Sequence, residues 1–275
     1  MDELTLTAPA KLNLVLRVGP RRADGFHPVT SLMVAVDGLS DTVTVRRSRI
    51  RTVTCPGIDG PANLAWQALD ALEREVGDLP ALAVEIDKRI PPQAGLGGGS
   101  SDDAAVLGAA NTIFELGLGS DRLEQIAAQV GSDVPFFVRG GAQWARGRGE
   151  ELSPVQIPPL FAVITPPIAP LSTAAVYAEF DAGDPPPAGE PWPEAPDAHD
   201  LLDAVANDLW PAARRLAPEL QRAACVLKAN GARTVLLCGS GGSLAALWTH
   251  EGAAREAAGQ LGALAAAVVR THSGT

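Results

Sequence analysis

From Lys11 to Val18 apolar and mixed positions alternate. Leu12, Leu14, Leu16 and Val18 share one face of a strand, and Lys11, Asn13, Val15 and Arg17 share the other. Lys11 and Asn13 therefore project the same way, about 7 Å apart. The following GPRRADGFHPV (19–29) is rich in turn formers. Period two returns in DTVTVRRS (41–48) and in ALAVEIDKRI (81–90), where Leu82, Val84 and Ile86 align. Between them NLAWQALDALEREV (63–76) carries Leu64, Ala68, Leu72 and Val76 at helical spacing and predicts an amphipathic helix. A strand ending near Ile90 is stopped by two prolines, and a glycine loop opens a helix from about Ser101 to Leu116. A second helix covers 121–131 and closes on Gly131. SDVPFFV (132–138) then leads into a short strand.

A turn-rich stretch precedes the strand LFAVITPP (160–167), which places a domain boundary near residues 150–157 and gives domains 1–153 and 154–275. Residues 181–198 hold prolines 185, 186, 187, 191, 193 and 196 and read as a mobile surface loop. Helices follow through HDLLDAVANDLW (199–210) and PELQRAACVLKANG (218–231). RTVLLCGSGGSLAALW (233–248) reads as strand, glycine turn, strand, and an alanine-rich helix from about Glu251 ends the chain. The pattern is that of an α+β protein, its second half a sheet with helices on one face.

Composition narrows the function. At 275 residues and 46% hydrophobic, the chain can build a substantial core. No apolar run reaches the roughly 18 residues that a membrane helix needs. The start, MDELTLTAPAKLNLVL, has acids where a signal peptide has positive charge, so a cytoplasmic protein without a membrane partner is expected. A net charge of −10 argues against nucleic acid, but it permits an anionic small ligand held by local backbone donors. Cys55, Cys225 and Cys238 are distant from one another and lack nearby histidines, so buried reduced thiols are expected rather than a zinc site or disulfides. No sticky patch suggests an obligate dimer, and a monomer or weak homodimer is expected.

The candidate chemistry starts at PPQAGLGGGSSDDAA (91–105). Glycines between a strand and a helix let backbone N–H groups approach a ligand closely. The helix start adds unpaired donors and a positive dipole end, and together these bind phosphate. Ser100 and Ser101 can cap the helix or donate to phosphate oxygens. The P-loop and the dinucleotide fingerprint both require different spacings. The alternative is an unusually tight strand-to-helix turn. Asp102 and Asp103 suit the helix dipole but repel a triphosphate, so either they face away or one helps hold Mg²⁺. CGSGGS (238–243) is a second glycine turn, equally a plain hairpin. Lys11 is either a solvated strand lysine or a catalytic cation. Asp133 is either a cap or a base. His27, after Phe26, suits a flat base but also suits a satisfied loop histidine.

PPQAGLGGGSSDDAA resembles the glycine–serine signature of the superfamily of galactokinase, homoserine kinase, mevalonate kinase and phosphomevalonate kinase. APAKLNLVLRV (8–18), NLAWQAL (63–69), GSDVPFFV (131–138), GRGEELSPV (147–155) and GSGGSLAAL (239–247) fall in the order of its other motifs. RRADGFHPVTSL (21–32) resembles a segment special to the branch that acts on a cytidyl substrate. The resemblance implies a two-domain kinase. Its N-terminal domain would be like ribosomal protein S5 domain 2, and its C-terminal domain ferredoxin-like. It implies transfer of the ATP γ-phosphate to the 2-hydroxyl of a cytidine-diphosphate-linked methylerythritol, with Mg²⁺ on the nucleotide. By position it makes Asp133 the base and Lys11 the catalytic lysine, with Asn13 positioning the alcohol. Phe26 and His27 would recognise cytosine, and Thr173 would line the substrate site. Pro92, Gln93, Ala94, Gly95, Leu96, Gly97, Gly98, Gly99, Ser100, Ser101 and Asp102 would bind ATP. It assigns no metal ligands. The chain departs from the pattern at Phe26, where Tyr is common, at Asp103, where a small residue is usual, and at Gly242 and Ser243, where proline and threonine are frequent.

Overall fold

The computed structural model describes residues 1–183 and 197–272. The chain forms two compact units. The first contains residues 1–10, 40–90 and 97–140, and the second contains 11–39, 91–96 and 141 onward. Strands β1 (Glu3–Val18) and β2 (Val29–Arg47) contribute residues to both. β1 begins eight residues before the expected strand, and β2 begins twelve before.

In the first unit the end of β2 pairs antiparallel with β4 (Leu82–Asp87), Thr42 opposite Asp87 and Arg47 opposite Leu82. β3 (Thr52–Thr54) lies parallel on the other side of β4. α1 (Leu64–Val76) starts where Asn63 caps it, its side chain accepting from Ala65 N, and stops at Gly77. α2 (Gly98–Ile113), α3 (Ser120–Ala127) and α4 (Val134–Arg139) complete the unit. Its core joins Val43, Val45, Val84 and Ile86 of the strands to Leu69, Leu72, Leu107, Ile113 and Ile126 of the helices. Each such side chain stabilises the fold by about 1.5–3 kcal/mol on burial. SDVPFFV forms the turn into α4 and the helix itself, and α3 stops at Ala127 with a turn to Gly131.

In the second unit Ser31–Val34 pair with β5 (Ala142–Arg146), which pairs in turn with β6 (Glu151–Pro154). β7 (Phe161–Ile164), α5 (Thr173–Asp181), α6 (Ala198–Ala204), β8 (Ala206–Asn207), α7 (Trp210–Leu216), α8 (Glu219–Ala229), β9 (Thr234–Leu237), β10 (Leu244–Trp248), α9 (Glu251–Leu261) and β11 (Ala267–Thr271) follow. The four later strands run β9-β10-β7-β11, antiparallel at each junction. That order is ferredoxin-like, as expected. The short β8 lies parallel to β1, Val15 opposite Ala206.

Two expectations are corrected here. Among the described residues the last element is not a helix: Gly262, at φ 55°, stops α9, and Ala267–Thr271 pairs with β7 and β2. Not all three thiols are buried: Cys225 is exposed on α8, four residues from Gln221 on the same face. The expected proline-rich loop at 181–198 lies mostly outside the described residues, and its first residue, Asp181, is helical.

Candidate active site

Strand alternation puts Lys11 and Asn13 on one face, and the fold buries both, at 4% and 5% exposure. The Lys11 ammonium donates to Asn13 Oδ1 at 2.5 Å and to the Gly95 carbonyl at 3.2 Å. The Lys11 backbone N–H donates to the Leu96 carbonyl at 2.9 Å. The glycine loop is thus tied to β1 through main chain and side chain. The Asn13 amide is fixed from its other end, its Nδ2 donating to Ser31 Oγ at 2.9 Å. Ser31 Oγ in turn donates to the Val15 carbonyl at 2.7 Å. A buried ammonium costs free energy unless it is hydrogen-bonded, and this chain of partners stabilises it. Sequence reasoning missed Ser31, although it lies within the RRADGFHPVTSL motif.

The loop bends through left-handed residues at alternate positions, Gln93 (φ 58°), Gly95 (φ 78°) and Gly97 (φ 72°). Gly97 then opens α2 with no side-chain cap. Ser100 and Ser101 do not cap the helix, because it begins before them, at Gly98. The first N–H groups of this sixteen-residue helix are thus left as donors, the arrangement that binds phosphate.

The second glycine turn does more than close a hairpin. Cys238 N donates to Ser243 O and Gly241 N to Cys238 O, as a turn requires. The same turn also lies backbone-on-backbone against the loop, with Gly242 N donating to Gln93 O at 3.0 Å. A Cβ on Gly241 would meet Gly95 N at 2.2 Å. One on Gly239 would stand 3.4 Å from the Lys11 ammonium. Burial pushes the Cys238 thiol up to about 12, against the pull of nearby Lys11, so it stays protonated. Thr173, at the start of α5, shares a 2.8 Å hydrogen bond with Ser240 of this turn.

At the other end of α5, His27 Nε2 lies 2.7 Å from Asp181 Oδ1. The imidazole packs on Tyr177 at 5.0 Å and meets Phe180 edge-on at 6.0 Å. Phe26 is half exposed, with the Arg148 guanidinium 5.0 Å over its ring. Lys11, Asn13, Gly95, Phe26, His27 and Thr173 all belong to the second unit, as do residues 92–94 and Leu96. Asp133 and residues 97–102 belong to the first. Asp133 is half-buried and immediately precedes α4, but its side chain does not cap that helix.

The aspartates after the loop turn inward. Lys88 Nζ lies 2.5 Å from Asp41 Oδ2 and 2.7 Å from Asp102 Oδ2. Burial alone would lower the Lys88 ammonium, but its two carboxylate partners outweigh that and raise it. Burial pushes Asp102 up to about 7, Lys88 opposing. Burial, with the neighbouring Asp102, pushes Asp103 up to about 8. Both Asp103 oxygens are buried without a hydrogen-bond partner. A carboxyl whose pKa rises on folding holds its proton in the folded state while the unfolded chain ionises. Its stabilising contribution is therefore complete below the unfolded value of about 3.8 and is lost as the pH rises towards about 8. Asp103→Ala is expected to flatten the fall in stability between those values. It is expected to stabilise the protein at pH 8 by on the order of 2 kcal/mol. Urea denaturation across that range checks this. An unchanged pH profile would mean that Asp103 is ionised or solvated in the native protein.

The chain was compared with known proteins. Residues 63–141 match the GHMP kinases N terminal domain. A 4-diphosphocytidyl-2-C-methyl-D-erythritol kinase from Moorella thermoacetica is 40% identical over 258 residues, 88% of each chain. The enzyme of that name from Mycobacterium tuberculosis is 39% identical over 288 aligned positions, covering 98% of this chain and 90% of the other. A crystal structure of 4-(cytidine 5'-diphospho)-2C-methyl-D-erythritol kinase superposes with TM-score 0.80 at 33% identity, covering 98% and 99%. A mevalonate kinase structure shares the fold alone, at 12% identity and TM-score 0.70. With a buried lysine held on a glycine-rich loop and relatives this similar over nearly its whole length, the chain belongs to the 4-diphosphocytidyl-2-C-methyl-D-erythritol kinase family.

Proposed function

We propose that this kinase transfers the γ-phosphoryl group of ATP to the 2-hydroxyl of 4-diphosphocytidyl-2-C-methyl-D-erythritol, a step in isoprenoid precursor synthesis. The observation that carries the chemistry is the buried Lys11 ammonium, hydrogen-bonded to the carbonyl of loop residue Gly95. A cation fixed there stabilises charge that shifts from the γ-phosphoryl to the bridging oxygen, and it does so without reorganising in the transition state. Asp133 takes the proton of the attacking hydroxyl. Asn13, its amide oriented by Lys11 and Ser31, holds the alcohol. Residues Pro92 to Asp102 hold the triphosphate, chiefly through the N–H groups that open α2. Mg²⁺ bound to the nucleotide would neutralise part of the triphosphate charge. The uncapped start of α2, with its backbone N–H groups left as donors, fits the phosphates of ATP.

Phe26 and His27 receive the cytosine, Phe26 by stacking on its ring and His27 by hydrogen bonding. Thr173 lines the substrate site. His27→Ala is expected to raise KM for the cytidyl substrate by about tenfold or more and to leave KM for ATP unchanged. Loss confined to ATP would place the base elsewhere. The function itself is tested by ADP release with Mg²⁺-ATP, offering the cytidyl substrate beside mevalonate, homoserine and galactose. Turnover with the cytidyl substrate alone is expected. Turnover with another alcohol would keep the phosphoryl chemistry and overturn the substrate.

A further inference from the structure

We infer that Asp181 sets the protonation pattern of His27, and through it selects a base bearing an amine over one bearing a carbonyl. The inference rests on the placing of cytosine at His27 proposed above and goes one step further, to what makes that histidine discriminate. A carboxylate has only acceptors, so the 2.7 Å contact from Asp181 Oδ1 to His27 Nε2 requires the proton on Nε2. In the neutral ring Nδ1 is then a lone pair, with no hydrogen-bond partner among the described residues.

The ring cannot readily turn to exchange its nitrogens. Its side chain is 6% exposed, and Tyr177 and Phe180 enclose it. Tyr177, Phe180 and Asp181 stand at spacings of three and four on one face of α5, so a single helix face supplies the walls and the acceptor together. A fixed lone pair accepts from the exocyclic amine of cytosine. It opposes the carbonyl oxygen that uracil carries at the same position. A site that binds by hydrogen bond rejects the analogue lacking the donor, because its own buried acceptor is left unpaired. Asp181 is thus a positioning residue that acts through His27.

The test compares kcat and KM for the cytidyl substrate and its uridyl analogue in the wild type, Asp181→Ala and His27→Ala, with KM for ATP as the control. Asp181→Ala is expected to raise KM for the cytidyl substrate by about ten- to a hundredfold with kcat nearly unchanged. The cytidyl-to-uridyl ratio of kcat/KM is expected to fall by a similar factor. A ratio equal to that of the wild type would overturn the inference. In the unliganded wild type, ¹⁵N-histidine NMR is expected to show the His27 proton on Nε2, and a proton on Nδ1 would also overturn it. His27→Ala separates the two layers. If it leaves the cytidyl KM unchanged, the placing of the base fails and this inference with it. If it impairs binding while Asp181→Ala does not, only the role of Asp181 fails.

Discussion

Asp133→Asn is expected to lower kcat by about a thousandfold while KM for both substrates stays within a few fold. The amide is isosteric with the carboxylate but cannot accept the hydroxyl proton. A general base typically contributes about 10²–10⁴ in rate. Because the change removes an interaction made only in the transition state, the loss belongs in kcat and equally in kcat/KM. Rapid-quench measurement of the chemical step, together with thermal unfolding of the variant, checks this. Turnover near normal in a folded variant would remove Asp133 as the base and leave the alcohol to be deprotonated by solvent or by the phosphate itself.

The second large effect is steric. Gly95→Ala puts a methyl group 1.7 Å from the Cys238 carbonyl oxygen and 2.8 Å from Gly241 N, at a φ of +78°. Both obstacles are main chain, so neither can swing aside. The loop and the turn must separate, breaking the Lys11 contact to Gly95 O as they do. Overpacking with left-handed strain makes a loss of about 3 kcal/mol the expected result, read by urea denaturation, along with a weakened ATP affinity. Gly99→Ala is the control. Its new methyl group meets nothing closer than Leu64 Cδ1 at 3.9 Å, and Gly99 lies inside α2. Stability there is expected to hold or rise, since alanine suits a helix better than glycine by about 1 kcal/mol. Equal behaviour of the two variants would mean that the close approach at Gly95 does not exist in solution.

Some of this was legible in the chain. The alternation at 11–18 placed Lys11 and Asn13 side by side before any fold was known, because the strand period is two whatever surrounds it. Asn63 and Gly77 mark α1 because capping is local chemistry. The first half of β2 was not legible, because Ser31 to Val36 are buried on both faces and leave no alternation to read. Ala267–Thr271 was absorbed into an alanine-rich helix because its strand partners are remote in sequence. The roles of Ser31 and Asp181 depend on contacts across 18 and 154 residues, beyond any local pattern. The inward turn of Asp102 depends on Lys88, which also pairs with Asp41, and propensity cannot pair them.

On the proposed site, helix α5 bears on the length of molecule that would fit. Its first residue, Thr173, is bonded to the glycine turn beside Lys11, and its last, Asp181, holds the histidine. Eight helical steps separate them, about 12 Å of rise. With the alcohol beside Thr173 and the cytosine at His27, as proposed, the helix would act as a ruler between the phosphoryl acceptor and the base. An alcohol joined to its cytidine by one phosphate instead of two would fall short of one end. A helix is stiff and its graduations are coarse. Deleting one residue from α5 shortens the span by only about 1.5 Å, but it rotates Asp181 about a quarter-turn away from His27. On that placing, substrate length and base recognition would be inherited together, and neither could readily change without the other.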